Sequence, residues 1–450
     1  MSKQRIQLSD HFTYSRLLRF VLPCIGTMLF TSIYGIVDGL CVSNFVGKTA
    51  FAAVNLIMPL PMLLGTIGFM LGTGGSAIVG ITLGEGDQKK ADRYFTLFLL
   101  AALVSVSVLA VLGIVFLRPI AVLLGAKGEL LDYAVRYGRI LMVSLPTFAL
   151  QNMFQSFFVT AEKPHLGFWF TVGAGCTNMV LDVLMVGIWG WGVEGAAIAT
   201  FISQLVGGVL PVFYFIDRSN SSRLHLCKTS FYSKVLRDAC INGSSELMTN
   251  LSMSLVNILY NYQLLRLAGE NGVAAYGVIM YAAFLFVAVF VGYAVGSAPI
   301  VSFHYGARNH AEVHNLYRKS LRLIAVVAVT LTLASMFIIP CVARIFVGYD
   351  AELLALTSRA FRLYALSFLI MGFNVYASSF FTALGDGVTS ALISFLRTLA
   401  FQVIAILLLP LLLLGIDGIW LAVTAAELAA LAVSAAMLLT KDKVFHYRKA

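Results

Sequence analysis

The sequence predicts an all-α polytopic membrane protein with twelve transmembrane helices in two pseudo-symmetric six-helix bundles. Composition is the first reason, because 60% of the 450 residues are hydrophobic and only 12% are charged, a balance unlike that of soluble domains. The second reason is that mostly apolar runs of about eighteen residues or more, each able to cross the hydrocarbon core, can be placed twelve times. The third is an internal repeat.

The twelve predicted spans are separated mostly by short loops. The residues before the first span are polar, and the apolar stretch behind them is long enough to remain in the membrane, so no cleavable signal is expected. The six cysteines include no CxxC pair, and packing is their predicted role. The spans cover residues 17–43, 51–81, 94–117, 133–160, 166–188, 193–216, 235–267, 273–303, 319–342, 355–384, 388–414 and 418–440.

Lys and Arg residues are distributed unevenly over the loops and the span ends beside them. An even number of spans puts both termini on one side, which holds 21 of the 31 basic residues against 9 on the other, with Arg397 inside a span. Because basic loops remain inside the cell, a bacterial inner-membrane protein with both termini cytoplasmic is predicted. The net charge of +10 therefore reflects topology, and no nucleic-acid partner is expected.

The internal repeat relates the two parts of the chain over most of its length. Shifting the sequence by 222 residues pairs Gly47 with Gly269 and Gly84 with Gly306. A nearly constant offset is hard to obtain by chance. At offsets of 222 and 223 the similar segments are AAVNLIM (52–58) with AAYGVIM (274–280), GVEGAAIA (192–199) with GIDGIWLA (415–422), and QSFFVTAEKP (155–164) with SSFFTALGDG (378–387).

Three parts of the chain follow from the repeat: an N-terminal bundle at 1–217, a basic cytoplasmic linker at 218–234 and a C-terminal bundle at 235–450. Since six is even, both bundles have the same orientation, and a cleft lies between them around an axis along the membrane normal. Secondary transporters usually have this plan. Pro23 in span 1 removes a helix hydrogen bond and is a predicted hinge, whereas the glycines of span 2 fit bending and close packing equally well.

Asp38 lies near the end of span 1, where an ionised carboxylate would cost about 2.5 to 3.5 kcal/mol. Helical spacing places Tyr34, Thr31 and Thr27 on the same face. A carboxylate in this setting needs a partner, a proton or a cation. The alternative to a functional role is a structural acid capped by a hydroxyl.

Span 5 supplies Asn178 and Asp182 one helical turn apart, and span 6 supplies Thr200. With Asp38 they form an all-oxygen set suited to a hard monovalent cation, Na⁺, or to a shared proton. The repeat provides a control, because the equivalents of the four residues are Tyr260, Phe401, Ala405 and Val423. An architectural set would be expected in both halves, so confinement to the first favours a coupling-ion site.

The second half has its own polar residues inside the predicted spans: Glu246, Asn374, Arg397 and Glu427. A buried Arg needs an acid, so a structural pair of Arg397 with Glu427 or Glu246 is the simpler interpretation. The alternative is a second coupling site or a site for a cationic drug, formed by one of the acids.

The twelve spans in two related halves, the GVEGAAIAT segment, the N-x-x-x-D of span 5 and Asp38 together resemble the multidrug and toxic compound extrusion (MATE) transporters. The resemblance implies an inner-membrane antiporter that exports cationic and amphipathic drugs in exchange for sodium or protons. It places the cation site on Asp38, Asn178, Asp182 and Thr200, and the bending proline on Pro23.

Some members of that family carry an acidic pair in the second lobe. Glu246 is similar to the span 7 member of that pair. Span 10, however, has Met371 and Asn374 and no acid, so the second-lobe pattern is incomplete.

The predicted function is that of a secondary active multidrug efflux antiporter using H⁺ or Na⁺, with organic cations, amphipathic drugs and membrane lipids as partners. Apart from the coupling ion no cofactor is expected. The alternative is a lipid-linked oligosaccharide flippase, which would need a more cationic cleft than Arg397 alone provides. An enzyme is not expected, since no HExxH or GxSxG motif lies in a span.

Overall fold

The computed structural model describes residues 6–46, 48–348, 350–412 and 415–448, and every regular element in these ranges is helical. The helices of the first half are α1 Tyr14–Phe45, α2 Lys48–Ile57, α3 Pro59–Gly84, α4 Gln88–Leu123, α5 Gly128–Thr160, α6 Pro164–Asp182 with a π-helical extension Val183–Ile188, α7 Gly192–Gly208 and α8 Leu210–Ile216. Those of the second half are α9 Ser233–Asn242, α10 Ser244–Gly306, α11 His310–Val347, α12 Ala351–Ala365, α13 Phe368–Ala383, α14 Gly387–Phe395 with a π-helical extension Leu396–Ala400, α15 Phe401–Leu412, α16 Ile416–Thr440 and α17 Asp442–Phe445.

These helices account for the predicted membrane spans. Among the described residues nine helical segments are long and apolar enough to cross a membrane, and α12 with α13, bent by 46° at their junction, makes a tenth. One of the nine, α10, holds two spans, because Gly269 has φ 59° and ψ −150° and interrupts the helix. The 33-residue α5 is long enough to cross a membrane but is less apolar than the nine, and counting it gives twelve among the described residues. The predicted all-helical, multi-pass fold class is confirmed, while Gly47, the repeat partner of Gly269, lies outside the described residues.

Several span boundaries differ from the prediction for identifiable reasons. α4 begins at Gln88 rather than 94, because Asp87 accepts a hydrogen bond from the Lys90 amide and caps a polar turn beyond the apolar run. The predicted span 51–81 is divided into two helices at Pro59, which lacks an amide hydrogen. Apolar runs mark the membrane-embedded part of a helix, not its ends.

Paired glycines show the repeat in three dimensions. A Cβ added to Gly84 would lie 2.0 Å from the carbonyl oxygen of Phe303, and one added to Gly306 would lie 2.0 Å from that of Ile81. Gly306 is the repeat partner of Gly84, and Phe303 is the partner of Ile81 at the same offset of 222. The contact is therefore reciprocal, so the pseudo-twofold axis passes between the ends of α3 and α10.

A second pair of contacts follows the same symmetry. A Cβ on Gly74 of α3 would lie 2.5 Å from the amide nitrogen of Gly243, at the α9–α10 junction. Its repeat partner Gly296 meets Val21 of α1, with the added Cβ 2.8 Å from Cγ1. Since Val21 and Gly243 are also 222 residues apart, α3 crosses the second half as α10 crosses the first.

The N-terminal segment, residues 6–13, bridges the two halves at the end of the bundle that carries both termini. The Leu8 amide donates to Glu162, in the loop between α5 and α6, at 2.9 Å. The Phe12 amide donates to Glu312, in the first turn of α11, at 2.8 Å. Leu8 and Phe12 are both fully buried. The segment is thus held by one carboxylate from each half.

The stretch between Ile216 and Ser233, where the linker is predicted, contains no helix. It packs along α4, with the His225 amide donating to Asp92 at 3.0 Å and the Cys227 amide to Thr96 at 3.1 Å. The proposed domain boundaries at 217 and 235 remain a prediction.

Candidate functional site

The close approach of α1 and α6 sets the geometry of the first-half site. A Cβ on Gly175 of α6 would lie 2.5 Å from a ring carbon of Phe30 and 3.0 Å from one of Tyr34, both on α1. Only a glycine allows the two helices to lie this close. Asp182 is two helical turns beyond Gly175, and Asp38 is one turn beyond Tyr34, so the contact brings their faces together.

The carboxyl groups of Asp38 and Asp182 lie within hydrogen-bonding reach of each other. Asp182 is fully buried, and the π-helical extension of α6 begins directly after it. π-helical turns occur often at functional sites because they re-aim side chains and loosen the backbone ladder. Two adjacent carboxylates away from water can be held only with a proton or a cation between them.

The acidic pair and two amide residues on α6 and α7 have side-chain oxygens without partners in the described part of the chain. Among the described residues, buried side-chain oxygens without a hydrogen-bond partner include both of Asp182 and one each of Asp38, Asn178 and Gln204. Buried polar groups in native proteins are normally paired, so the unsatisfied carboxylate oxygens of Asp38 and Asp182 fit a bound cation or proton. Thr200 lies on the adjacent α7, where its hydroxyl donates to the Ala196 carbonyl at 3.0 Å and its oxygen keeps lone pairs for a ligand.

Tyr137 of α5 is a neighbour of this pair that the sequence reasoning missed. Its fully buried side chain is close enough to Asp38 and Asp182 to interact with the charge of both. Its hydroxyl lies 3.8 Å from the Met58 sulfur, which is only a weak acceptor. The repeat could have pointed to Tyr137, because the residue 223 positions later is Ala360. The tyrosine is therefore confined to the first half, like the other residues of the site.

Pro23 lies inside α1, which continues through it as one helix. The Thr27 hydroxyl donates to the Pro23 carbonyl at 2.9 Å. The structure therefore shows a helix that is locally short of one backbone hydrogen bond, and the hinge role of Pro23 remains a prediction.

The polar residues of the second half form a connected group. The Asn374 amide donates to Glu427 at 2.7 Å, and the Ser434 hydroxyl donates to Asn374 at 2.9 Å. Arg397, in the π-helical extension of α14, lies with Nη1 3.8 Å from Glu427 Oε1. Of the two partners left open by the sequence, Glu427 is the one that Arg397 meets. Glu246, the fourth polar residue that the sequence singled out in the second half, has no hydrogen bond or ion pair to this group among the described residues.

A cavity of about 310 Å³ lies between the halves, within the size range of small-molecule sites. Its walls come from α1, α3 and α5 of the first half and from α10, α13, α14 and the π-helical extension of the second. Glu246 and Arg397 both line it, together with Thr31 and several serine and threonine hydroxyls. Asp38 and Asp182 are not in its lining, so the acidic pair and the central cavity are separate sites.

The sequence profile of the family described as MatE matches residues 23–184 and again 247–408. The chain belongs to the MatE family. The two matches begin 224 residues apart, in agreement with the repeat.

Named relatives and solved structures of MatE proteins are similar over nearly the whole chain. The multidrug export protein MepA of Staphylococcus saprophyticus is 21% identical over 96% of this chain and 95% of its own length. MepA of Staphylococcus aureus strain MSSA476 is 22% identical with the same coverage. An outward-facing multidrug resistance MATE family transporter of the MOP superfamily has a TM-score of 0.91 at 23% identity, and MATE in complex with MaL6 has 0.91 at 22%, each covering 100% of both chains.

Proposed function

We propose that this MatE protein is a secondary active antiporter that exports amphipathic and cationic compounds in exchange for H⁺ or Na⁺. The observation that carries the proposal is the pair Asp38 and Asp182. Their carboxyl groups lie close together, and their buried oxygens have no hydrogen-bond partner among the described residues. A fixed but unsatisfied acidic pair is suited to loading and releasing an ion. The named relatives, which are multidrug export proteins, support the same function.

The ion and the exported compound would occupy different places. Asp38, Asn178, Asp182 and Thr200 would hold the ion in the first half, and the cavity between the halves would hold the compound. Ion binding at the acidic pair removes repulsion between two carboxylates, so it favours the arrangement of α1 and α6 that brings them together. Coupling then arises if that arrangement binds the compound less tightly than the other one does.

We include the cellular location and the topology of the protein in this proposal. The protein would lie in a bacterial inner membrane with both termini in the cytoplasm, and it would act as a transporter without enzymatic activity. A lipid-linked oligosaccharide flippase is not favoured, because the relatives reported above are drug exporters.

Ethidium movement in everted membrane vesicles tests the proposal. The vesicle lumen, which corresponds to the cell exterior, is either acidified or loaded with NaCl, and dye accumulation is followed for the wild type and for Asp38→Asn. We expect accumulation under one of the two gradients and its loss in Asp38→Asn, with the effective gradient naming the ion. Asp238→Asn, the same change at an exposed ion pair with Arg237, is the matched control.

Two results would count against the proposal. Full gradient-driven accumulation in Asp38→Asn at equal expression would remove the acidic pair from coupling. Absence of accumulation of ethidium, of other cationic dyes and of zwitterionic dyes under both gradients, with folded wild-type protein, would argue against multidrug antiport itself.

A further inference from the structure

The central cavity carries one charge of each sign, and the two charges are not paired with each other. Glu246 comes from α10 and Arg397 from the π-helical extension of α14. Among the ion pairs found within 4 Å in the described part of the chain, Arg397 is paired with Glu427 and Glu246 has no partner. A wall of this kind can bind a positive group at one place and a negative group at another.

Arg397 forms an ion pair with a residue outside the cavity and keeps N–H donors that are not hydrogen-bonded to any described residue. Glu427, its partner, does not line the cavity, and one of its oxygens is already occupied by Asn374. The 3.8 Å separation between Arg397 Nη1 and Glu427 exceeds hydrogen-bond length, and Nη1 is buried without a hydrogen-bond partner in the described chain. A guanidinium carries five N–H donors, so Glu427 fixes its position without satisfying it.

The rest of the cavity fits the remainder of an amphipathic ligand. Hydroxyl groups lie on the second-half wall, among them Ser378 and Ser394, whose oxygens are 2.9 Å apart. Apolar side chains of Met28, Met253 and Phe284 complete the lining. Apolar walls with a few fixed polar groups are the usual composition of a small-molecule site.

We propose that Arg397 binds the carboxylate of the exported compound and that the cavity selects amphipathic zwitterions, with their cationic group directed to Glu246. A planar guanidinium suits this role because it can donate two parallel hydrogen bonds to one carboxylate. The inference rests on the proposed efflux function for its transport consequence, but the binding preference itself does not depend on transport. Glu427 and Asn374 act as positioning residues for Arg397.

A matched pair of dyes tests the proposal. Rhodamine 110 is a zwitterion with a free carboxylate, and rhodamine 123 is its methyl ester, which is a monocation on the same ring system. Binding of each dye to purified protein is measured by fluorescence anisotropy, for the wild type and for Arg397→Gln combined with Glu427→Gln. The double variant removes both members of the ion pair, so neither is left buried without its partner.

We expect the double variant to lose affinity for rhodamine 110 by roughly tenfold or more, since hydrogen bonds to charged groups contribute on this scale. Affinity for rhodamine 123 should remain unchanged or improve. Arg397→Lys keeps the positive charge but cannot donate two parallel hydrogen bonds to one carboxylate. It should lose part of the preference for rhodamine 110 over rhodamine 123. Arg359→Gln, which removes an arginine that is exposed and paired with Asp417, should change neither dye.

An unchanged ratio of the two affinities in a folded double variant would overturn the assignment of Arg397. A wild type that binds the ester as well as the acid would overturn zwitterion selection. If the acid is preferred through Arg397 and yet no dye crosses the vesicle membrane, the carboxylate site stands and the efflux function fails.

Discussion

The two halves share a scaffold but give Asp182 and Glu427, two of their most deeply buried acids, different surroundings. In the first half, Asp38 and Asp182 face each other with oxygens that no described protein group satisfies. In the second half, Glu427 has an amide from Asn374 and a guanidinium from Arg397. A charge with fixed partners is a structural element, whereas a charge without them remains available to an exchangeable ion. The same scaffold therefore holds a fixed ion pair in the second half and, in the first, the acidic pair that we propose as the ion site.

The largest expected effect is a difference in stability between variants that replace one buried acid in each half. Glu427→Gln leaves the buried Arg397 without its counter-charge, and we expect the free energy of unfolding to fall by about 3 kcal/mol. Asp182→Asn removes one of two adjacent carboxylates, so stability should be unchanged or should rise. Thermal denaturation of the purified variants in one detergent measures both. Equal destabilisation by the two changes would mean that the halves do not differ in the way described.

The next largest effect tests the symmetric contact between the halves, at the two glycines related by the repeat. Gly84→Ala and Gly306→Ala each drive a Cβ against a backbone carbonyl of the other half, and we expect each to destabilise by roughly 2 to 3 kcal/mol, near the upper end for overpacking. Folded yield and the midpoint of thermal denaturation give the size of each effect.

Gly277→Ala is the control for these two changes, because a Cβ there has no neighbour within 4 Å. It should be neutral or stabilising by up to about 1 kcal/mol. A marked difference between Gly84→Ala and Gly306→Ala would break the pseudo-symmetry inferred from their reciprocal contact.

The smallest effect concerns a pair of repeat-related helix starts. Asp386 caps α14 by accepting from the Thr389 amide and forms an ion pair with Lys441 at 2.8 Å, whereas its repeat partner Lys163 offers α6 no side-chain cap. Burial raises the pKa of the Asp386 carboxyl, but hydrogen bonds from Lys441 and Thr389 outweigh it and hold the pKa below its usual value of 3.8.

A lowered pKa in the folded state means that ionised Asp386 stabilises the protein above the unfolded pKa, near 4, and that this contribution is lost as the pH falls through the folded value. Asp386→Ala should therefore cost about 1 kcal/mol near pH 6. The difference from the wild type should shrink below about pH 4. Paired denaturation curves at the two pH values check this, and a difference that persists in acid would contradict it.

The sequence predicted the spans and the repeat because hydrophobicity and offset are properties of the chain itself. Helix ends were less accessible, since the turn capped by Asp87 continues α4 beyond its apolar run. Asp38 and Asp182 could be paired in advance because each lies on a polar face of its own helix. Their neighbour Tyr137 could not be placed in the same way, because it comes from a third helix whose rotation is set by packing.

The ion-pair partner of Arg397 also could not be predicted from the sequence, because it depends on the distance between helices. Sequence spacing left Glu427 and Glu246 as equal choices, and only the distance between helices separates them. Gly175 explains why such distances are hard to anticipate. Its missing side chain decides how near α6 comes to α1, yet one glycine in an apolar span has no distinguishing pattern.

The N-terminal segment, residues 6–13, joins the two halves at one end of the molecule. Glu162 and Glu312 accept hydrogen bonds from two backbone amides of this short stretch, so separating the α5–α6 loop from the start of α11 must break at least one of the two bonds. A hydrogen bond to a charged group contributes about 1.5 to 3 kcal/mol, and about 1.4 kcal/mol corresponds to a tenfold change. A rearrangement that separates the two halves at this end is therefore disfavoured by roughly tenfold to a hundredfold for each bond that it breaks, so residues 6–13 favour the arrangement in which the halves are joined here.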